Sequence, residues 1–134
     1  MTKPSLDLRI FQKIRQLDMP EVAYVVVGGG VLVGLGLLPW DEDIDICVSE
    51  ELFESFRVQD WEEQEWQGKP VLKHDVYDIG IGFGAWSLED LRADALFIRG
   101  IPFMSPAKLL EWKRQMNRPK DLPHIALLEK YLKK

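Results

Sequence analysis

The sequence predicts an α/β (α+β) fold, a small mixed β-sheet flanked by helices. Short β-branched and aromatic runs, such as AYVVV at residues 23–27, alternate with segments whose apolar residues recur at helical spacing. Two amphipathic segments, AKLLEWKRQM and LPHIALLEKYL, then close the chain, an order that suits helices packed on a sheet. No repeat, low-complexity tract or long linker breaks this pattern over 134 residues, so a single domain spanning 1–134 is expected.

The first helix is expected at residues 5–17, SLDLRIFQKIRQL, where Leu6, Ile10, Ile14 and Leu17 share one face behind Ser5 as N-cap. Residues 22–40 are all apolar, glycine or proline, close to the roughly 20 residues a membrane-spanning helix needs. The glycines at 28, 29, 30, 34 and 36 weaken a continuous helix, and both flanks are acidic. A buried strand at 23–27, a glycine turn and a short buried helix at 30–38 account for the same residues without a membrane span. A second strand follows at 43–48, then a helix from Ser49, with Ser49 as N-cap and Glu50 and Glu51 in the first turn. The third helical position is Leu52, so no full capping box forms there. VYDIGIGF at 76–83 alternates bulky and open positions as a strand does. A short helix is expected at 88–94, an extended pair turning near Gly100, and two helices separated by NRPKD.

Composition narrows the function. A net charge of −5 argues against duplex nucleic acid as a partner, because phosphate neutralisation needs clustered Lys and Arg. The one cysteine, Cys47, excludes an internal disulfide framework and reads as a small core residue. With no signal-peptide pattern at the start, a cytoplasmic location is expected. His74 and His124 lack zinc-site spacing, and Trp40 reads as an anchor for its loop.

The chemistry concentrates in GGGVLVGLGLLPWDEDIDICVS, residues 28–49. On a strand, Asp43, Asp45 and Cys47 face one way and Ile44, Ile46 and Val48 the other. Carboxylates held that close repel and call for a cation, and oxygen-rich sites of this kind suit Mg²⁺ or Mn²⁺. Gly28 and Gly29, placed between strand and helix, bring bare backbone amides to where an anion is favoured. Val33 occupies the last glycine position of a dinucleotide fingerprint, and no GK[ST] follows, so neither that motif nor a P-loop is present.

Gly28, Gly29 and Gly36 followed by Asp43 and Asp45 resemble the nucleotidyltransferase superfamily of the DNA polymerase β type. Its motif is a paired glycine, a helix, and hydrophobic-Asp-hydrophobic-Asp on the next strand. The resemblance implies that Asp43 and Asp45 hold divalent metal and that a third acid on a neighbouring strand completes the set. Asp78 in VYDIG fits that place, with Asp75 as the alternative if the strand carries a bulge. KRQMNRPKDLPHI, residues 113–125, is similar to the closing pattern of small bacterial members. That similarity makes Lys113 a candidate phosphate contact, while Arg114, Arg118 and Lys120 otherwise read as ordinary helix-end cations.

LLPWDEDIDI, residues 37–46, also resembles the signature of the choline-phosphotransferase and fukutin-related branch of that superfamily. The implied function is Mg²⁺-dependent nucleotidyl transfer from a nucleoside triphosphate to an acceptor hydroxyl, with Asp43, Asp45 and Asp78 catalytic. Phospho-alcohol transfer from a CDP-linked donor is the alternative within that chemistry. The chain departs from small nucleotidyltransferases at Pro39 and Asp41, where Arg and Thr are usual, and at His124, where Asp is common. Those departures keep open an inactive nucleotide- or partner-binding module, such as a toxin–antitoxin component. The partners expected are a nucleotide donor, an unidentified acceptor, and either a protein partner or a second copy of the chain.

Overall fold

Ile10, Phe11 and Ile14 are buried along one side of the first helix, α1 (Arg9–Gln16), in the computed structural model of the chain. The structure describes residues 7–133, so Ser5 and Leu6 of the expected first turn lie outside the described residues. A short 3-10 turn leads into strand β1 (Tyr24–Val27), every residue of which is buried. Helix α2 (Gly30–Gly34) is shorter than the 30–38 expected. Gly36 stops it by adopting φ 76°, its amide bonding the Val33 carbonyl at 3.0 Å while the Leu37 amide reaches Leu32 at 2.9 Å. That pair of bonds satisfies carbonyls that further helical residues would otherwise have capped. Among the described residues no helix is long and apolar enough to cross a membrane.

Strand β2 (Ile44–Val48) begins one residue later than expected, leaving Asp43 in the preceding loop. Trp40, 8% exposed, fixes that loop by donating from its indole Nε1 to the Asp43 carbonyl at 3.1 Å. The Asp7 carboxylate accepts from the Trp40 amide at 3.0 Å and ties the loop to the start of α1. Helix α3 (Glu50–Arg57) is capped by Ser49, whose hydroxyl accepts from the Leu52 amide.

Strands β3 (Glu62–Trp66) and β4 (Lys69–His74) form a hairpin, followed by β5 (Tyr77–Gly80). Helix α4 (Leu88–Ala93) carries a reciprocal Ser87–Asp90 capping box. Strands β6 (Leu96–Ile98) and β7 (Ile101–Phe103) pair across Arg99 and Gly100, both at positive φ. Helix α5 (Pro106–Met116), capped by Ser105, ends at Asn117 with φ 49°, and α6 (Leu122–Leu132) follows a 3-10 turn.

The strands join in one mixed sheet of order β3-β4-β5-β2-β1-β7-β6. β2 runs antiparallel to β1 but parallel to β5. The fold is therefore the expected mix of helices on a mixed sheet. Its two faces differ: Ile44, Ile46, Leu72 and Ile79 stand on one and are each at most 1% exposed. Asp45, Asp78 and Lys73 alternate with them and stand on the other. Burial of each such core side chain stabilises the fold by about 1.5–3 kcal/mol, which fixes the register that lines up the polar face.

Candidate active site

Sheet register assembles the site. Val27 on β1 pairs with Asp45 on β2, Asp45 with Asp78 on β5, and Asp78 with Lys73 on β4. Directly paired residues point to the same face, so Asp45, Asp78 and Lys73 form a polar row across three strands. The next row on that face includes Gly80, whose missing side chain leaves space beside Asp78. This row floors an open cleft of about 360 Å³.

Asp78 perturbs its neighbour Asp45. Asp45 is pushed up to about 7, first by burial, then by the charges of Asp78 and Asp43, with hydrogen bonding to Asp78 adding to the effect. Burial beside a second carboxylate thus disfavours the charged form of Asp45. Lys73 offsets part of the charge, its Nζ lying 3.0 Å from Asp78 Oδ1. The contact is not aligned as a hydrogen bond, and Asp78 Oδ1 is shielded from water without a hydrogen-bond partner. Lys73 in turn is held more firmly protonated by its contact with Asp78.

The glycine turn roofs Asp45. Gly28 has φ +66°, and a Cβ built on it would lie 3.1 Å from Asp45 Oδ2. A side chain there would be strained and would press on the carboxyl. Gly29 faces open space, with nothing within 4 Å of its Cβ position.

The opposite wall comes from the junction of α5 and α6. Lys113, 4% exposed, bonds Asp121 Oδ1 at 3.0 Å. Arg118 bonds both oxygens of the same carboxylate, at 2.7 and 3.1 Å. Burial alone would raise Asp121, but Arg118 and Lys113 overcome it and hold the carboxyl at about 2. Lys113 therefore meets the cleft as part of a Lys-Asp-Arg cluster with one net positive charge, not as a free ammonium. Lys120 lines the cleft as well, and no ion pair to it is found among the described residues.

Asp43 stands apart from the row. It lines an adjoining hollow of about 310 Å³ that shares Gly29, Asp45 and Lys113 with the cleft. Among the described residues no group of three or more Asp, Glu, His or Cys side chains is drawn together tightly enough to hold an ion. The expected acid triad is thus a close pair, Asp45 and Asp78, with Asp43 near enough to act on Asp45 through its charge. A hard divalent cation fits beside Asp45 on one observation, the Gly28 cradle over its carboxyl that a Cβ would fill, with Asp43 near enough to share the charge.

Asp75 belongs elsewhere. It sits at φ 54° in the turn before β5, paired with Lys13 at 3.0 Å, and no bulge brings it to the cleft. Cys47 is fully buried, accepts from the Gly82 amide, and is raised to about 11 by that burial. His74 packs at a tilt against Trp61, with ring centroids 5.1 Å apart. His124 lines the second hollow, where burial and then the charge of Lys113 lower its pKa.

Two cleft residues carry no clear mark in the sequence. Lys73 becomes part of the row only through strand pairing, and no local spacing reveals that. Trp66, 42% exposed, packs on Phe83 and Trp112 at 6.5 and 6.3 Å and forms the far wall. A lone tryptophan in the otherwise polar run EEQEW is its only signal. No protein-family model matches the chain, and neither a curated protein nor a solved structure is significantly similar to it.

Proposed function

We propose that the chain is a metal-dependent transferase of the nucleotidyltransferase type, moving a nucleoside monophosphate from a nucleoside triphosphate to an acceptor hydroxyl. The observation that carries this reading is the in-register pairing of Asp45 with Asp78 on parallel strands, beneath the Gly28 turn. It supports two parts of the arrangement that the resemblance implies, a glycine turn over the acid strand and a third acid on the neighbouring strand, while Asp43 lies in the loop just before that strand.

Asp43 and Asp45 are the residues that would hold Mg²⁺ or Mn²⁺, with Asp78 beside them as the third acid. When bound, the metal supplies charge neutralisation for the donor phosphates and for the in-line transition state. The chain's own contributions follow from position. Backbone at Gly28 and Gly29 receives the phosphates, and the Lys113-Asp121-Arg118 cluster with Lys120 presents positive charge across the cleft. Asp78, with Gly80 open beside it, takes the proton of the acceptor hydroxyl.

A thermal-shift screen of nucleoside triphosphates and CDP-linked alcohols, with and without Mg²⁺, tests the reading. Expected is a Mg²⁺-dependent rise in melting temperature with a triphosphate that the Asp43→Asn, Asp45→Asn double variant lacks. A response to CDP-alcohols alone would move the assignment to phospho-alcohol transfer. Equal metal responses in both proteins would remove the metal site.

A further inference from the structure

Cross-strand ion pairs on half-exposed sheet faces are common and contribute little, so the Lys73–Asp78 contact needs more than proximity to matter. Three features set it apart. It lies in the cleft, in one row with Asp45, on the face left by the apolar core. The Asp78 oxygen it approaches is shielded from water and lacks a hydrogen bond, so the ammonium is the only cation compensating it among the described residues. The same ammonium also feels the charges of Asp43 and Asp45.

We propose that Lys73 is a built-in cation of this site, its ammonium standing at Asp78 where a divalent ion would otherwise bind. The inference rests on the metal-dependent reading above and deepens it: the chain takes its divalent ion through Asp45 and Asp43, while Lys73 supplies the positive charge at Asp78. A lysine suits this task. Its ammonium is a compact charge on a flexible stem, able to neutralise a carboxylate without fixing it in a planar fork. Held so, Asp78 has its charge balanced while its side next to Gly80 stays open. Lys73 is a positioning residue in this account, acting through Asp78.

Mn²⁺ alone is the probe, with free Mn²⁺ read by electron paramagnetic resonance, so the readout does not depend on turnover. If Lys73 competes with metal at Asp78, Lys73→Met binds Mn²⁺ at least tenfold more tightly than wild type, and Lys73→Gln gives the same gain in a second folded background. Lys73→Arg, which keeps the charge, stays near wild type. Asp78→Asn in the wild-type background changes Mn²⁺ affinity by no more than about twofold, whereas Lys73→Met with Asp78→Asn loses the gain. The proposal is overturned, with the metal site intact, if wild type binds Mn²⁺ but Lys73→Met and Lys73→Gln gain nothing, or if the gain survives Asp78→Asn. Absence of Mn²⁺ binding in wild type and in every Lys73 variant overturns both the metal-dependent reading and this inference.

Discussion

Asp45 carries a pKa raised from 3.8 to about 7, which makes stability depend on pH in a definite direction. The folded chain holds a proton that the unfolded chain has released, so stability is full below pH 4 and falls as pH rises towards 7. The loss from this residue is on the order of 4 kcal/mol, at about 1.4 kcal/mol for every pH unit that separates its folded and unfolded titrations. Urea denaturation of wild type and Asp45→Asn across pH 4–8 should show the two curves separating as pH rises, with the variant the more stable above pH 7. Parallel curves would show that Asp45 does not carry the buried proton. The glycines of the turn give a second contrast at this scale. Gly28→Ala should cost about 1–2 kcal/mol, because its Cβ meets Asp45 Oδ2 in a left-handed backbone. Gly29→Val, facing open space, should leave the melting temperature nearly unchanged while weakening triphosphate binding. Unchanged binding in the folded Gly29 variant would place the phosphate elsewhere.

The junction of α5 and α6 shows how element packing decides what a charge can do. The sequence suggests Lys113 as a phosphate contact, yet its helix turns it inward onto Asp121, which is 1% exposed. Removing that carboxylate by Asp121→Ala strands a buried ammonium and should cost about 3 kcal/mol in urea denaturation. Replacing the pair together, Lys113→Met with Asp121→Leu, should recover most of the loss. Equal losses in the single and double variants would mean that Arg118, not Lys113, is the partner that matters. Acid should act like Asp121→Ala: its pKa is depressed from 3.8 to about 2, so this contribution is lost as pH falls through that interval. The same elements show what the sequence can and cannot carry. Strand β2 is legible from its Ile44–Ile46 alternation, and helix α3 from Ser49 and its first-turn acids, because local patterning defines both. The β3–β4 hairpin is not, since β3 buries no residue and so leaves no apolar period to read. Helix α2 ends before its apolar run does, because the stop depends on a backbone turn at one residue, Gly36.

At the scale of the whole molecule, the cleft draws on segments far apart in the chain. Asp45, Asp78 and Lys73 come from three neighbouring strands, and Lys113 and Arg118 from the junction of α5 and α6. The sequence motif pairs Gly28 with Asp45 across the α2 connection between β1 and β2, but carries no mark that sets Lys73 beside Asp78, whose apposition needs the β4–β5 register. That architecture separates two roles that one variant can tell apart. Asp78 stands at the end of the carboxylate pair away from the Gly28 turn, beside the space left by Gly80, so under the proposed function it serves the acceptor rather than the donor phosphates. Asp78→Asn should therefore leave triphosphate binding largely intact while lowering turnover by ~100-fold or more, the scale of a lost general base. Binding by calorimetry and single-turnover rates, once a donor is found by thermal shift, measure the two independently. A parallel loss of both would make Asp78 part of the donor site. Wild-type turnover in the variant would remove it from the chemistry altogether, and tight nucleotide binding by a wild type that turns nothing over would give the binding-module reading first place.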